Sequence, residues 1–486
     1  MLKRLQPIDL LMARSTARYI QNLAIAFASK QHSPIQHKQQ EQQKKLISNV
    51  VNENTKILWT RKLHINQFVG NNNTKSLDGN GDVDDKVETT LRWGIAPVSI
   101  MACDFAAALS ILPPQHHQIV SCVAAYRSHA EAFADRYNVE NIYTSFEDLA
   151  RCPNVDVVYI SPLNPLHGEL CHLMLNHDKH VLCEKPLCMT EDQVCQLISK
   201  AQARGLFLME GMWPRCVPAY HYLRKQILRN RLGEVNHVHC TLGLPVSQSK
   251  LALYGGVASD FGIYGLQLAL WVFREAPQRV RATGKLNEED IDVTADIVLE
   301  FSRDRWAHIQ VSAEEKFDNK ATITGKDGSI KMTNYWCPTR LTTDKGNIDF
   351  PLPVDDSFFT HYHNRVSICY EAEEVRKCIL NGSNESEMFN HKESILLANL
   401  MDIIYDQLGL GRGVDINRPI QEDEKFQDPS EIVSEAFQSL SYDKTTTDEE
   451  ESTIPASNNK KPEESGSSKQ SGPKVLEAPQ NDNQII

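Results

Sequence analysis

The feature that most constrains the fold is a regular alternation of short apolar runs with helix-like segments, which begins at Leu91. The apolar runs predict four strands: Leu91–Ala96, Ile119–Ala125, Val155–Ile160 and Val181–Cys183. Helices are predicted between and after them: Met101–Leu112, His129–Tyr137, one from about Leu166 and one from Thr190. Strands that alternate with helices are typical of an α/β domain with a parallel, doubly wound sheet. Such a sheet binds ligands in the crevice at the carboxyl ends of its strands.

The two ends of the chain differ in composition from this core. Residues 1–88 are rich in Gln, Asn and Lys, and residues 440–486 are rich in Ser, Thr, Glu and Pro with an acidic run. Neither segment has the apolar content that a packed core requires, so both are predicted to be disordered. Residues 1–30 are basic and amphipathic, which also fits a transit peptide. A cytoplasmic location is expected, or a mitochondrial one if residues 1–30 act as a targeting signal.

Charge and cysteine content narrow the function classes. The net charge is −12, which argues against a partner such as nucleic acid or an anionic membrane surface. No run is long and apolar enough to span a bilayer. The 12 cysteines form no Cys-x-x-Cys pair, so no zinc ribbon or other metal site is predicted. Their scatter through apolar segments indicates reduced thiols in a reducing compartment.

The turn after the first predicted strand is the expected place for the phosphates of a dinucleotide. It follows the order Gly94-Ile95-Ala96-Pro97-Val98-Ser99. Only Gly94 matches the three-glycine fingerprint of such turns. Ser99 stands at the position of the last glycine, where its hydroxyl can cap the helix or donate to a phosphate. By itself the motif favours an ordinary turn over a phosphate loop.

The end of the second strand predicts which nicotinamide cofactor fits. An acidic residue there binds the ribose 2′-hydroxyl of NAD, and a basic one favours the 2′-phosphate of NADP. This chain has Arg127 and Ser128 after the strand and no acid. NADP is therefore favoured over NAD, with the alternative that Arg127 is only the solvated start of a helix.

Two further motifs face the same crevice. Asn164 and His167 follow the third strand, and the fourth strand runs into Glu184-Lys185-Pro186. At a strand's carboxyl end, the Lys185 ammonium points into the ligand crevice. The alternatives are a surface lysine paired with Glu184 and an Asn164 that only caps a helix.

These motifs, taken in order, resemble the Gfo/Idh/MocA oxidoreductases, named for glucose-fructose oxidoreductase and inositol dehydrogenase. Within that family the downstream half is similar to the dihydrodiol dehydrogenase branch. The resemblance covers about Leu91 to Leu410. It rests in that half on Leu206–Trp213, Gly262–Tyr264, Tyr335–Thr339 and Tyr370–Glu373 with Val375 and Arg376.

The resemblance implies two domains. Residues 89–212 form the Rossmann dinucleotide-binding domain, and residues 213–412 an α/β domain with a large, mostly antiparallel sheet that binds substrate. In the family the open face of that sheet makes a homodimer. The sequence agrees with further strands, with hairpin signals between two pairs of them: Val235–Leu242, Thr294–Phe301, Trp306–Ser312, Ala321–Thr324 and Ser329–Met332. Helices over Tyr370–Leu380 and Lys392–Gln407 would return to the first domain.

The resemblance also implies the chemistry. Lys185 and Tyr264 would be the catalytic pair of an NADP-dependent dehydrogenase that oxidises a small trans-dihydrodiol or an aldose of the D-xylose type. A free phenol has a pKa near ~10, and a neighbouring ammonium lowers it. Tyr264 is thus predicted to be the acid/base, tuned by Lys185, with Asp260 orienting Lys185 or binding a sugar hydroxyl. Trp213 would line the substrate pocket, and Asn164, His167 and Glu184 would contact the cofactor.

Some positions depart from the family pattern. Ala125 stands where the family has an arginine at the end of the second strand, and Ser99 replaces a glycine. Arg127 is displaced from the arginine's position by two residues. These departures favour an alternative function, that of a non-catalytic relative with a weakened cofactor site that acts in binding or regulation.

Overall fold

The computed structural model describes residues 90–247, 251–252, 254–354 and 358–410. The predicted extension of residues 1–88 and the predicted acidic tail of residues 440–486 lie outside these ranges, as does the candidate transit peptide. All 12 cysteines lie within them, and none forms a disulfide. None of the helices in these ranges is both long and apolar enough to cross a membrane.

The first half of the described chain folds around a six-stranded parallel sheet with the order β3-β2-β1-β4-β5-β6. Its strands are β1 Leu91–Ala96, β2 His117–Val123, β3 Asn141–Tyr143, β4 Val157–Ile160, β5 His180–Glu184 and β6 Leu208–Gly211. Its helices are α1 Ile100–Leu109, α2 Arg127–Tyr137, α3 Phe146–Ala150, α4 His167–Asn176 and α5 Glu191–Ala203. The predicted doubly wound sheet is confirmed, with most boundaries moved by one or two residues.

The central strands are buried on both faces, which explains why they appear in the sequence as continuous apolar runs. β4 and the middle of β5 have no exposed residue. Two elements were missed: β3, with three half-buried residues, and the five-residue helix α3. Neither is long enough to give a periodic signal.

The second half folds around an eight-stranded sheet with the order β14-β13-β12-β11-β7-β10-β9-β8. Its strands are β7 Val235–Gly243, β8 Arg279–Leu286, β9 Asp292–Phe301, β10 Arg305–Ser312, β11 Phe317–Gly325, β12 Ser329–Thr333, β13 Arg340–Thr343 and β14 Gly346–Asp349. The helices of this half are α6 Pro218–Leu228, α7 Ile263–Phe273, α8 Ile368–Leu380 and α9 His391–Gln407. Only β7 and β10 pair in parallel, so the expectation of a mostly antiparallel sheet is confirmed.

The last two helices connect the two sheets. The amide of Glu191, at the start of α5, donates to Asp402 Oδ2 of α9 at 2.9 Å. His391 Nε2 donates to the main-chain oxygen of Leu208 in β6 at 3.0 Å. The fully buried carboxylate of Glu393 pairs with Arg215 at 2.9 Å. The contacts of Glu191 and Leu208 hold α9 of the second half against the first sheet and its helix α5.

The second sheet has one covered face and one open face. Ala307, Ile309 and Val311 of β10 are buried beneath α7, while the alternate residues, such as Trp306 and His308, are half-buried on the other side. This alternation along β10 is typical of a sheet with one face turned away from the core. The open face is defined here by Trp306, His308, Gln310, Val298, Asp296, His237 and His239.

Candidate active site

The residues predicted to carry chemistry meet at the carboxyl ends of β1, β4 and β5. β1 lies between β2 and β4, so the chain reverses direction across the sheet at this point, which is where α/β sheets bind ligands. The second half covers this crevice with the turn and helix that contain Asp260 and Tyr264. Lys185 and Tyr264 are 9% and 5% exposed. The two side chains are therefore largely shielded from solvent, where charge interactions are stronger than at the surface.

Lys185 is the centre of the site. Its ammonium donates to Asp260 Oδ1 at 2.9 Å and to the main-chain oxygen of Asp260 at 3.1 Å, and it lies 5.0 Å from the ring centroid of Tyr264. Burial opposes the charged form, but Asp260 and Tyr264 outweigh it and hold the pKa of Lys185 above its usual value. Lys185 is thus a cation at neutral pH. It can stabilise negative charge or donate a hydrogen bond but cannot act as a base.

Asp260 and Tyr264 reach Lys185 from one continuous helical segment. A π-helical turn over Ala258–Gly262 runs directly into α7. The Asp292 carboxylate accepts the amide of Ala258 at 2.6 Å and so fixes the start of this segment. Gly256 precedes it with a φ of +97°, and a Cβ there would lie 1.6 Å from Asp292 Oδ1. Only glycine fits this position, so the turn in front of Asp260 is sterically determined.

Tyr264 lies between two tryptophans. Trp213 Nε1 donates to the Tyr264 hydroxyl at 3.3 Å, with the two rings perpendicular at 89°. Trp336 packs on the other side with a ring-centroid distance of 5.8 Å. Its indole N–H is buried and has no hydrogen-bond partner in the part of the chain that the structure describes. Sequence analysis assigned Trp213 to the pocket and missed Trp336, although the segment that contains it carried part of the resemblance.

Glu184, which was predicted to contact the cofactor, binds the side chains of Tyr159 and Arg365 in this structure. The Tyr159 hydroxyl donates to Glu184 Oε1 at 2.6 Å, and Arg365 forms a buried ion pair with the same oxygen. The Arg365 guanidinium also stacks 4.9 Å from the Trp213 ring centroid. Burial disfavours the cation, but the carboxylate of Glu184 raises the pKa of Arg365 above its usual value. Neither Tyr159 nor Arg365 was found from sequence, since one lies inside an apolar strand and the other in a segment without a motif.

The turn after β1 differs from the prediction at Gly94. This residue lies inside β1, and a Cβ there would meet Val155 Cγ1 at 3.1 Å and Leu149 Cδ2 at 3.3 Å. Its small size is needed for packing against these side chains, and its contact with a cofactor stays a prediction. Ser99 caps α1, because its Oγ accepts the amide of Ala102 at 3.1 Å. The same hydroxyl lies 3.1 Å from Ser161 Oγ, which keeps it at the mouth of the turn.

Asn164 and His167 connect parts of the crevice to one another. Asn164 Nδ2 donates to the main-chain oxygen of Tyr254 at 2.8 Å. His167 Nδ1 donates to the main-chain oxygen of Pro186 at 2.7 Å, directly behind Lys185, and Nε2 lies 3.3 Å from the oxygen of Pro162. Burial lowers the pKa of His167, so the ring is neutral. In this structure both side chains hold the walls of the crevice, and their contact with a cofactor stays a prediction.

Arg127 begins α2 and is largely exposed. Its Nε donates to Glu131 Oε1 at 3.1 Å, one helical turn further along. No acidic side chain stands at the end of β2, where NAD would require one. The guanidinium is near the place expected for a 2′-phosphate, but its present partner is a carboxylate of its own helix.

The residues at the crevice fit a dinucleotide. The strand order, the N-terminus of α1 facing the carboxyl end of β1, and the polar mouth formed by Ser99 and Ser161 are the features that hold a pyrophosphate. Within the described ranges no group of His, Cys, Asp and Glu side chains has the arrangement of a metal site.

Two family models match this chain. Residues 91–212 match the "Oxidoreductase family, NAD-binding Rossmann fold", and residues 220–331 match the "GFO/IDH/MocA C-terminal domain". Trans-1,2-dihydrobenzene-1,2-diol dehydrogenase of Danio rerio is 37% identical over 327 residues, which are 66% of this chain and 97% of that protein. The enzyme of the same name from Xenopus laevis is 34% identical over 325 residues, covering 66% and 98%.

Solved structures share the fold. A 3-ketoreductase from Actinomadura kijaniata, crystallised with NADP and TDP-benzene, aligns with a TM-score of 0.56 at 21% identity over 66% of this chain and 98% of that one. Aldose-aldose oxidoreductase from Caulobacter crescentus gives the same values. With the relatives at 34% and 37% identity, the two matched models and the paired sheets described above, this chain is a member of the Gfo/Idh/MocA oxidoreductase family.

Proposed function

We propose that this protein is an NADP-dependent dehydrogenase that oxidises a secondary alcohol of a small neutral diol or aldose. The observation that carries the proposal is the buried contact of Lys185 with Asp260 and with the ring of Tyr264. Perturbed, desolvated charged groups in a crevice are typical of catalytic sites. The relatives named as dihydrodiol dehydrogenases and the NADP-bound neighbour support the same reaction class.

Nicotinamide, when bound, accepts the hydride that leaves the alcohol carbon. The N-terminus of α1 and Ser99 would hold the pyrophosphate, and Arg127 the 2′-phosphate. The phenolate oxygen of Tyr264 would take the proton of the substrate hydroxyl and become a neutral hydroxyl. Lys185, held by Asp260, stabilises the phenolate that Tyr264 must form to act as a base.

The charges of the pocket indicate a neutral substrate. Among the described residues of the site, Lys185 is balanced by Asp260 and Arg365 by Glu184, which disfavours the binding of a substrate carboxylate or phosphate. The faces of Trp213 and Trp336 suit the apolar side of a sugar or a cyclic diol. The unpaired indole N–H of Trp336 would donate to a second hydroxyl. These features support a trans-dihydrodiol or a D-xylose-type aldose over an acid.

We infer that the working unit is a homodimer joined through the open face of the second sheet. That face carries Trp306 and Val298 between His308, Asp296 and Gln310, a mixture of apolar and hydrogen-bonding groups that suits a self-complementary interface. A cytoplasmic location is part of the same proposal.

A second candidate function has its own support. Arg127 is engaged by Glu131, and Ser99 is engaged as a helix cap. A non-catalytic relative that no longer binds cofactor tightly would show these features.

The test is a titration of the full-length protein with NADPH, followed by nicotinamide fluorescence, with NADH in parallel. Micromolar binding of NADPH and weaker binding of NADH are expected. Activity on diols and pentoses is then screened with NADP. Absence of binding at millimolar concentration would rule out the dehydrogenase and favour the non-catalytic relative.

Two substitutions test the catalytic pair. K185M and Y264F should each lower kcat by roughly 10²- to 10⁴-fold, the usual contribution of an acid/base group, with NADPH affinity retained. K179M is the matched control. Lys179 is also buried and donates to the main-chain oxygens of Cys152 and Val155, but it lies at the amino end of β5. If K185M and K179M retain equal activity, Lys185 has no catalytic role.

A further inference from the structure

Arg365 is a buried cation that the catalytic scheme above does not use. Its side chain is 3% exposed. The guanidinium pairs with Glu184 on one side and stacks on the ring of Trp213. Its Nε is buried and has no hydrogen-bond partner among the described residues. A group so costly to bury indicates a role beyond packing.

The backbone around Arg365 is held firmly. Asn364 adopts a left-handed conformation with a φ of +58°, and its Nδ2 donates to the main-chain oxygen of Cys337 at 3.2 Å. The Ser367 hydroxyl lies 2.8 Å from Cys337 Sγ. Because Trp336 precedes Cys337, the segment that presents Arg365 is fastened to the segment that packs on Tyr264.

A continuous series of contacts leads from Arg365 to the phenol oxygen. The guanidinium covers the face of Trp213, which restricts the orientation of the indole ring. The edge of the same indole donates its N–H to the Tyr264 hydroxyl at 3.3 Å. An N–H donor at the phenol oxygen favours the phenolate over the phenol. Arg365 also adds a second cation to the surroundings of Tyr264, beside Lys185.

We propose that Arg365 is a positioning residue for the acid/base Tyr264, acting through Trp213 to orient the phenol oxygen and, with Lys185, to favour its ionised form. The proposal rests on the proposed function, since it takes Tyr264 as the acid/base. Loss of Arg365 should lower kcat more than it changes KM, because the proposal has Arg365 act through Trp213 and not by contact with the substrate. It should also move the pH dependence of the reaction to higher pH.

The test follows the ionisation of Tyr264 directly in the full-length protein labelled with 3-fluorotyrosine. The ¹⁹F resonance is assigned by its loss in Y264F and titrated with pH without substrate. R365M should move this titration upward by about one pH unit, and R365K by less, because lysine keeps the charge but not the planar stacking surface. W213F, which removes the indole N–H and leaves Arg365 in place, should move it in the same direction.

R224M is the matched control. Arg224 is also a buried arginine beside a tryptophan, 5.8 Å from the Trp271 ring centroid, and it does not contact Tyr264. An unchanged titration in R365M, or an equal change in R224M, would overturn the proposal. If R365M and W213F shift the titration as expected but the wild type oxidises no alcohol, the proposed dehydrogenase fails while the positioning of Tyr264 stands. If the wild type is active, kinetic pH profiles of R365M and R365K test whether the pH dependence of the reaction moves to higher pH.

Discussion

Glu210 is a buried carboxyl whose charge is influenced by the nearby Lys185. Its Oε1 accepts the amide of Leu187 at 3.0 Å, two residues after Lys185. It faces a cavity of about 20 Å³, large enough for one water, that Ser259, Ser394 and Met401 also line. Burial, only partly offset by hydrogen bonds from Ser394 and Leu187, raises the pKa of Glu210 to about 7. The protonation of this residue therefore changes within the physiological range.

This raised pKa predicts a pH dependence of stability. The folded state binds the Glu210 proton more tightly than the unfolded state, so its stabilisation is complete below about pH 4.5 and is lost as the pH rises to about 7. E210Q should remove this dependence. When the pH is raised from 4.5 to 8, the free energy of unfolding of wild type should fall by about 3 kcal/mol more than that of E210Q. Denaturant unfolding at both pH values measures this, with the exposed-site variant E289Q as control; parallel pH profiles for E210Q and wild type would contradict it.

At the level of single residues, the sequence predicted the site residues that belong to a recognisable motif along the chain. The structure brings together Lys185, Asp260, Tyr264 and Trp213, all expected in the crevice. Arg365 could not be predicted, because its role comes from a contact with Glu184 across 181 residues of chain. Gly94 was placed in the turn from sequence but lies inside β1, since a glycine indicates the lack of a side chain without indicating the reason for it.

Among the elements, α2 carries the least settled part of the cofactor site. Its helical character was predictable from sequence, but its N-terminus begins two residues before the expected position, so that Arg127 is inside the first turn. This places Arg127 and Glu131 four residues apart on one helical face, where opposite charges pair. A boundary shift of two residues thus decides which group Arg127 contacts.

Releasing Arg127 should strengthen binding of the 2′-phosphate. E131Q removes the competing carboxylate, and an exposed pair of this kind is worth up to about 0.5 kcal/mol, so NADPH affinity should rise by up to roughly two-fold. NADH affinity should stay unchanged, because NADH lacks the phosphate. D135N makes the same charge change one turn further along α2 and serves as control. Equal effects of E131Q on both nucleotides would show that Arg127 does not contact the 2′-phosphate.

Among the remaining elements, sequence analysis predicted those with a clear periodic pattern and missed those without one. Long strands such as β9 and β10 were predicted to within two residues, because alternating burial gives a clear period. The short β3 was missed, and so was the contact of the 361–362 segment with α1, where His361 binds the Asp104 carboxylate at 2.7 Å. Loop contacts of this kind depend on tertiary structure and leave no periodic pattern.

For the whole molecule, the proposed homodimer can be tested by a substitution on the open face of the second sheet. Val298 lies at its centre, beside His308. V298K should place a charge in the proposed dimer interface and weaken association by at least about tenfold, as burial of an unpaired charge is costly. Light scattering after size exclusion should give about twice the chain mass of 55.0 kDa for wild type and a lower mass for V298K. The control A203K adds the same charge at an exposed helix end; a monomeric wild type would contradict the dimer.

The packing of the last described part of the chain, up to α9, against the first sheet also affects folding during synthesis. The edge strand β6 donates its Leu208 amide to the oxygen of Asn384, and α5 is closed by α9 through Asp402. During synthesis the first sheet therefore leaves the ribosome with one edge and one helix face lacking their partners for nearly two hundred residues. Contacts so distant in sequence form slowly and leave apolar surface exposed in the meantime. We therefore expect the first sheet to reach its final packing only after the last two described helices have emerged, so that both halves complete their folding together.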